Sequence, residues 1–411
     1  MKKILTLSML GLASVSAFAQ PSPQANDKNE NLALIARGAY LSAAGDCEGC
    51  HTIPTGQTYG GGRAFPTPFG TIYSTNISSD KTYGIGNYTY QEFVDAVQKG
   101  VSPHGNLYPA MPYASYQKIS PADMKALYAY FMQTKPATQK NRENDVMFPA
   151  NIRFGLKFWN WLEVKDSPFK VTPGKSETWN RGKYLVEGLG HCGECHTPRN
   201  FLMGSETNKA LQGNVIDGVN APNITAQRLK EEGWDAKQLT DFLATGKSAK
   251  GTAFGEMFIV EKHSLTQLSK ADIDAMVTYL LDGDTTIRNR KIPLTFTAAQ
   301  QAMPGYGTYM AKCSGCHGNR GEGIPNLAPP LQGNATLANP NIYNTVEVIM
   351  NGINAQRYNR NQAYYAMPSY PKMDSKTMAD LITFLHQAMT DQTSTVTQQQ
   401  VESVMQKVNK S

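Results

Sequence analysis

The sequence predicts an all-α fold built of three tandem domains, and three observations predict it. Cys47-Glu48-Gly49-Cys50-His51, Cys192-Gly193-Glu194-Cys195-His196 and Cys313-Ser314-Gly315-Cys316-His317 repeat one pattern and use all six cysteines. Each copy sits in a unit of roughly 100 residues, the size of a small domain, that closes on an amphipathic helix. No strand-like alternation recurs between the copies. The length of 411 residues agrees, because at about 100 to 200 residues per domain it makes two to four domains rather than one large core.

Residues 1–19 read as an export signal. Met1-Lys2-Lys3 gives a positive start, Ile4 to Phe18 a short apolar body, and Ala17-Phe18-Ala19 a small-x-small cleavage pattern before Gln20. A retained anchor would need a longer uninterrupted apolar stretch. Cleavage takes two of the 39 basic residues and no acid, leaving 37 against 33, or +4. The mature chain is therefore expected outside the cytoplasm, behind a disordered leader at 20–31.

The first unit spans 32–140, the second 179–285 and the third 300–389. Arg37-Gly38-Ala39-Tyr40-Leu41 precedes the first cysteine motif and Arg181-Gly182-Lys183-Tyr184-Leu185 the second; Gly307-Thr308-Tyr309-Met310 is a shorter relative before the third. Each reads as a helix that delivers the cysteines at its C-terminal end. Asn76-Ile77-Ser78 then matches Asn223-Ile224-Thr225, and a helix follows that ends in glycine: Tyr90 to Gly100, Ala236 to Gly246, Val346 to Gly352. The closing helices carry Met124, Leu127, Tyr130 and Phe131; Ile273, Met276, Tyr279 and Leu280; and Met378, Leu381, Phe384 and Leu385 at helical spacing, read as core. Ser120 with Asp123, and Ser269 with Asp272, have capping-box spacing with Asp in place of Glu.

The connecting segments differ in character. Residues 141–178 hold Phe154, Phe158, Trp159 and Trp161, too aromatic for a flexible linker, so the segment packs between domains or faces a partner protein. A second linker spans 286–299. The tail, 390–411, is polar with a narrow stripe of Val401, Val404, Met405 and Val408, read as a solvated helix or as a weak membrane or partner contact.

Composition excludes several classes. With 40% hydrophobic and 18% charged residues the chain is neither disordered nor collagenous. Beyond the first twenty residues no apolar run approaches the 18 or so needed to cross a bilayer. The net charge of +6 is modest and scattered, so nucleic acid is not an expected partner.

The cysteine motifs carry the chemistry. An oxidising compartment suggests disulfides first, but a disulfide framework gives no reason for a histidine after every second cysteine. A zinc site would pair two Cys-x-x-Cys units across about 15 to 20 residues, whereas these lie more than 100 apart. The pattern is the one that attaches c-type haem: Cys47, Cys50, Cys192, Cys195, Cys313 and Cys316 bond the porphyrins of three covalent haem c groups, and His51, His196 and His317 ligate their irons. The six haem propionates also offset the basic polypeptide.

What fills the opposite face of each iron decides between a relay and an enzyme, since methionine closes the site and an open position allows chemistry. Met111 follows Gly100 by 11 residues, Met257 follows Gly246 by 11, and Met367 follows Gly352 by 15. Met111 and Met367 precede proline, which pushes them out of helical conformation and presents the thioether from a loop; Met257 lacks that proline. Of the histidines outside the motifs, His104, His191, His263 and His386, only His263 rivals Met257 for the second iron; the rest read as surface or hydrogen-bonded residues. Pro329 or Pro330 is the expected backbone partner of His317. No dinucleotide glycine fingerprint and no Gly-x-Ser-x-Gly elbow is present, so the chain is read as an electron-transfer subunit rather than a catalyst alone. The rivals are a peroxidase-like haem enzyme with an open iron and a freely diffusing carrier.

From Arg37 to Leu385 these residues resemble the three-haem cytochrome c subunits of bacterial periplasmic dehydrogenases, both the quinoprotein alcohol dehydrogenases and the flavin-dependent gluconate, sorbitol and fructose dehydrogenases. The specific stretches are Gly45-Asp46-Cys47 to Thr52, Thr67-Pro68-Phe69-Gly70 with Ser74-Thr75-Asn76-Ile77, Leu107 to Tyr113, and Gly188 to Asn200. The resemblance implies class I cytochrome c-like domains and the axial pairs His51 with Met111, His196 with Met257 and His317 with Met367. It implies a periplasmic location and an FAD- or PQQ-dependent large subunit as electron donor, with a small chaperone-like subunit as a further candidate. It implies ubiquinone as acceptor and a peripheral inner-membrane contact. Members often reach the membrane through an apolar C-terminal segment, which the polar tail here lacks.

Overall fold

The computed structural model describes residues 23–216, 219–284, 286, 295–359 and 362–409. The export signal and the start of the leader lie outside the described residues. The remainder of the leader is helical: α1 runs Pro23–Ala44, correcting the reading of 20–31 as disordered.

In the first unit α1 is followed by α2 (Cys47–His51), α3 (Tyr90–Lys99), α4 (Tyr113–Tyr116) and α5 (Pro121–Phe131). Helix α6 (Gly155–Glu163) lies in the aromatic segment. The second unit repeats the order with α7 (Glu177–Tyr184), α8 (Gly193–His196), α9 (Ala236–Thr245), α10 (Gly255–His263) and α11 (Lys270–Leu280). The third has α12 (Pro304–Lys312), α13 (Ser314–His317), α14 (Tyr343–Asn351) and α15 (Ser375–Met389), and α16 (Gln398–Val408) follows. The expected glycine stops are present, with Gly100, Gly246 and Gly352 at φ 65°, 70° and 71° after α3, α9 and α14. In this left-handed region glycine has no Cβ clash.

The all-α expectation is corrected by short antiparallel pairings. Ala64–Thr67, Gly70–Tyr73 and Asp145–Val146 form a three-stranded sheet, and two-residue strands follow the glycine stops at Val101–Ser102 with Gly105–Asn106 and at Lys247–Ser248 with Gly251–Thr252. Strands this short leave no alternation for a sequence to display.

First and last helices cross in each unit, α1 on α5, α7 on α11 and α12 on α15. Glycine makes the crossings possible. A Cβ on Gly38 would stand 2.0 Å from the Ala126 carbonyl oxygen, one on Gly182 would stand 1.9 Å from that of Ala275, and one on Gly305 would stand 2.2 Å from that of Asp380. In the third unit the crossing glycine is thus Gly305; Gly307, which the sequence aligned with it, has nothing within 4 Å of its missing Cβ. The second unit has one residue more between its Arg-Gly-x-Tyr stretch and its cysteines, Arg181 to Cys192 against Arg37 to Cys47. A π-helical turn at Leu185–Leu189 absorbs it.

The other residues of that stretch join units one and two. Ser120 and Ser269 cap α5 and α11 by accepting from the Asp123 and Asp272 amides, but the aspartate side chains do not complete a capping box. Asp123 accepts instead from Arg37 Nε at 2.7 Å and from the Tyr184 hydroxyl of the second unit at 2.6 Å. Asp272 accepts from Arg181 Nε at 2.8 Å and from the Tyr40 hydroxyl of the first unit at 2.6 Å. Each tyrosine oxygen also accepts the amide of the other unit's capping serine, Ser269 at 3.1 Å and Ser120 at 3.0 Å. Arginine therefore holds its own closing helix and tyrosine reaches across, twice, in reciprocal fashion. The two units accordingly share one continuous core, from Leu41 to Leu281, while the third has its own.

Burial disfavours the Asp272 carboxylate, yet Arg181 and Tyr40 outweigh it and hold its pKa below the ordinary value. A depressed folded pKa adds stability above the unfolded value, near about 3.9, that is lost as pH falls through the folded one. Asp272→Asn is expected to flatten the acid-side decline of thermal stability between about pH 5 and pH 2. Melting curves across that range check it, and an unchanged slope would count against the clasp.

The remaining boundaries shift. Phe296, within the linker placed at 286–299, is buried in the third core, and residues 287–294 of that linker lie outside the described residues. The tail is not solvated: α16 packs on α14 and α15, Val401 and Val408 are buried, and Val404 and Met405 lie against the same core. Its stripe is not exposed for a membrane contact. His386, read as surface or hydrogen-bonded, is buried in α15 with neither ring nitrogen hydrogen-bonded.

Candidate haem sites

A sharp break delivers each of the first two motifs. Asp46 and His191, directly before Cys47 and Cys192, are left-handed at φ 49° and 37°, so the helix stops and the motif turns off it. None of the six cysteines forms a disulfide. Burial pushes the Cys47, Cys50 and Cys192 thiols up to about 12 and Cys313 to about 11, keeping them protonated in apolar surroundings. Among the described residues no three His, Cys, Asp or Glu side chains gather into a metal-holding cluster.

The three motif histidines are held alike. Nδ1 of His51 lies 2.7 Å from the Thr75 carbonyl oxygen, that of His196 2.7 Å from Pro222, and that of His317 2.9 Å from Pro329. A carbonyl only accepts, so Nδ1 carries the proton in each ring and Nε2 keeps the lone pair that an iron requires. Burial draws all three pKa values below the ordinary histidine value, which keeps the rings neutral. The choice between Pro329 and Pro330 falls to Pro329. Thr75 and Pro222 each precede the Asn-Ile stretch shared by units one and two, and that explains the stretch: the Asn76 amide donates to the Ala137 carbonyl at 2.6 Å and its oxygen accepts from Ser78, fixing the loop segment that holds His51.

A cleft enclosing about 1270 Å³ of space open to solvent brings Cys47, Cys50 and His51 together with Met111. Its walls are apolar, including Phe65, Ile72, Ile85, Phe93, Leu127 and Phe131. Two of its lining groups are polar and unsatisfied: Asp46 has a buried, unpartnered Oδ1, and Arg153 a buried, unpartnered Nε. Arg153 is half-buried with its guanidinium over the Tyr108 ring, and a haem propionate in the cleft would give its sealed Nε an anionic partner. The first site therefore fits haem, and the aromatic segment contributes to it.

The other two methionines sit on their cores. Met257 lies in the first turn of α10 against the core shared by units one and two. Met367 is extended, pairing its backbone with Ile353 at 2.8 and 3.1 Å, as a residue before proline should be, and packs on the third core. His263 turns to the first unit, its Nδ1 lying 3.4 Å from Glu48 Oε1.

The sequence did not disclose how the first two motifs face one another. Helix α2 packs against α10, the helix bearing Met257, through Glu48 with His263 and through Arg63, which donates to the Gly49 carbonyl at 2.5 Å and pairs with Glu256. In return the second motif meets α4, just after Met111: the Ser115 hydroxyl donates to Glu194 at 2.8 Å, and the Tyr116 ring stands edge-on to His191 with centroids 5.5 Å apart. Asp46 is buried beside the first motif, its Oδ1 unpartnered, and burial pushes its pKa up to about 7. A Cβ on Gly49 would stand 2.3 Å from that carboxylate, which explains glycine inside this motif.

Comparison with known proteins agrees with this geometry. A cytochrome c family model matches residues 302–389. The gluconate 2-dehydrogenase cytochrome c subunit of Pantoea cypripedii is 36% identical over 94% of this chain and 90% of its own. The chain belongs to the family of dehydrogenase cytochrome c subunits. The cytochrome c subunit of the quinone alcohol dehydrogenase of Gluconacetobacter polyoxogenes is also 36% identical, over 94% of this chain and 85% of its own. The fructose dehydrogenase cytochrome subunit of Gluconobacter japonicus is 37% identical over 84% and 76%. Membership in a cytochrome c family implies covalent haem c, which gives the buried thiols and neutral histidines of this subunit their purpose.

Proposed function

We propose that this chain is a periplasmic electron relay. It holds three covalent haem c groups in three class I cytochrome c-like domains, attached through Cys47 and Cys50, Cys192 and Cys195, and Cys313 and Cys316. Its axial pairs are His51 with Met111, His196 with Met257 and His317 with Met367. It takes electrons from a dehydrogenase subunit, FAD- or PQQ-dependent, that oxidises a sugar, sugar acid or alcohol, and passes them to ubiquinone. The export signal at 1–19 carries it to that compartment. A small chaperone-like subunit completes the complex.

The observation that carries this reading is the threefold recurrence of a motif histidine whose Nδ1 is bonded to a backbone carbonyl, leaving Nε2 bare. Bound haem supplies one-electron transfer. The chain's own residues do the rest. Backbone carbonyls fix each histidine, apolar walls exclude water, and Arg153 faces the charge of the first group.

Met111→Leu is expected to remove the thioether-to-iron charge-transfer band of one haem only and to lower that haem's potential by a substantial part of the roughly 0.8 V that axial ligation spans. Near-infrared spectra and a redox titration of the holoprotein, quantified per polypeptide, check it. Retention of all three methionine bands would sink the assignment. A wild-type shortfall at the second site, with a high-spin band in its place, would favour the open-iron enzyme instead.

A further inference from the structure

We propose that the outward face of α6, with the loops beside it, seats this protein on a phospholipid surface bearing anionic headgroups. The helix is built inside out. Phe154, Phe158, Trp161 and Leu162, at spacings of four, seven and eight residues, make a full apolar stripe, and that stripe faces solvent: Phe154 and Trp161 are 75% exposed and Phe158 64%. The polar atoms turn inward instead. The Trp159 indole donates to the Leu202 carbonyl at 2.8 Å, and the Asn160 oxygen accepts from the Tyr113 hydroxyl at 2.7 Å. Phe148, 75% exposed, and Phe201, 89% exposed on the loop that Trp159 grips, extend the patch. Rings exposed to this extent and grouped together mark a docking surface rather than ordinary scatter.

The chemistry of the surround selects lipid over protein. From Met147 to Leu162 the charged residues are Arg153 and Lys157, and no carboxylate occurs. Arg153 turns its Nε into the cleft, while Lys157 lies over the Phe154 ring, 5.5 Å from its centroid, at the edge of the stripe. Glu163, next in sequence, is tied inward to the Asn200 amide at 2.7 Å. Lys157 is therefore the charge set at the edge of the ring stripe, and its sign complements a phosphate layer. The rings also stand out from a convex helix rather than lining a pocket, and aromatic rings bordered by lysine suit the boundary between headgroups and acyl chains.

The platform is rigid and lies beside the first cleft. The Asn106 amide donates to the Arg153 carbonyl at 3.1 Å and the Tyr108 hydroxyl to that of Ala150 at 3.1 Å, so the loop that bears Met111 holds the segment. The docking rests on the surface alone. Only its corollary, that the first haem is the one nearest the lipid, rests on the proposed function.

Flotation of the full-length holoprotein with vesicles of phosphatidylethanolamine and phosphatidylglycerol tests it. The wild type is expected to float with them, and more weakly with phosphatidylcholine alone. The triple variant Phe154→Ser, Phe158→Ser, Trp161→Ser is expected to partition about a hundredfold or more less. Lys157→Glu, which leaves every ring in place, is expected to weaken binding to the anionic vesicles while leaving phosphatidylcholine binding nearly unchanged. A wild type that stays with the unbound fraction, or a triple variant that floats as well as the wild type, overturns the proposal. So does loss of a co-purifying dehydrogenase subunit from the triple variant when the wild type shows no vesicle binding, since the patch then belongs to a protein.

Discussion

Gly305→Ala is expected to cost about 3 kcal/mol of stability, whereas Gly307→Ala, two residues along the same helix, is expected to gain roughly 0.5 to 1 kcal/mol. The contrast isolates one contact. At Gly305 a methyl group would stand 2.2 Å from the Asp380 carbonyl oxygen, and backbone cannot swing aside as a flexible side chain can. Relief requires α12 and α15 to part, which opens the core around Tyr309, Phe384 and Leu381, all essentially inaccessible to solvent. At Gly307 the methyl group meets nothing within 4 Å, and alanine removes the entropy cost of a glycine inside a helix. Calorimetric melting of the two variants checks it. Equal losses at both positions would mean that the crossing had been assigned to the wrong glycine. The same collision awaits alanine at Gly38 and Gly182, with gaps of 2.0 and 1.9 Å.

That the sequence aligned Gly307 rather than Gly305 shows where reading a chain stops. Local features were legible because local chemistry writes them. Gly100, Gly246 and Gly352 announce helix ends because few other residues adopt their backbone conformation, and the cysteine motifs announce their chemistry because little else places His after the second Cys each time. Asp123 and Asp272 misled for the same reason. Their spacing from a capping serine is a local signal, but their carboxylates go to an arginine on a crossing helix and to a tyrosine in the other unit. Helix α6 was ambiguous in kind. The aromatic content of 141–178 left packing between domains and facing a partner both open, and the exposure of Phe154, Phe158 and Trp161, with Asn160 and Trp159 bonded inward, shows that the stripe faces out. One missed feature was countable in advance: the extra residue between Arg181 and Cys192, which becomes the π-helical turn.

The reciprocal clasp gives the first two units a relationship that neither has with the third. Tyr40 and Tyr184 exchange places, Glu48 meets α10 while Glu194 meets α4, and a single core runs beneath both. Each motif thus packs against the element that carries, or adjoins, the other unit's proposed axial methionine. A rigid mutual orientation of two sites is what a relay between them needs, because transfer between bound groups depends on held geometry rather than on encounter. Arg-Gly-x-Tyr is then a single device, in which arginine fastens the closing helix, glycine lets it approach and tyrosine locks the neighbour.

Asp123→Ala is the substitution that tests the device, and it is expected to cost about 3 kcal/mol. The carboxylate side chain is 3% exposed, and its removal strands several groups at once. The Tyr184 hydroxyl, on a residue that is 7% exposed, loses its acceptor. Arg37 contributes less to the total, since its side chain is 56% exposed and regains water when the pair is broken. Tyr184→Phe removes the hydroxyl and leaves the carboxylate its arginine, so it is expected to cost only about 1 kcal/mol. The two changes share one hydrogen bond, and the double variant should therefore lose less than the sum of the single losses, by about 1 kcal/mol. Thermal or denaturant unfolding of the three variants beside the wild type measures that coupling. Strict additivity would show that Tyr184 and Asp123 merely lie close together, and this half of the clasp would then contribute nothing to holding the two units.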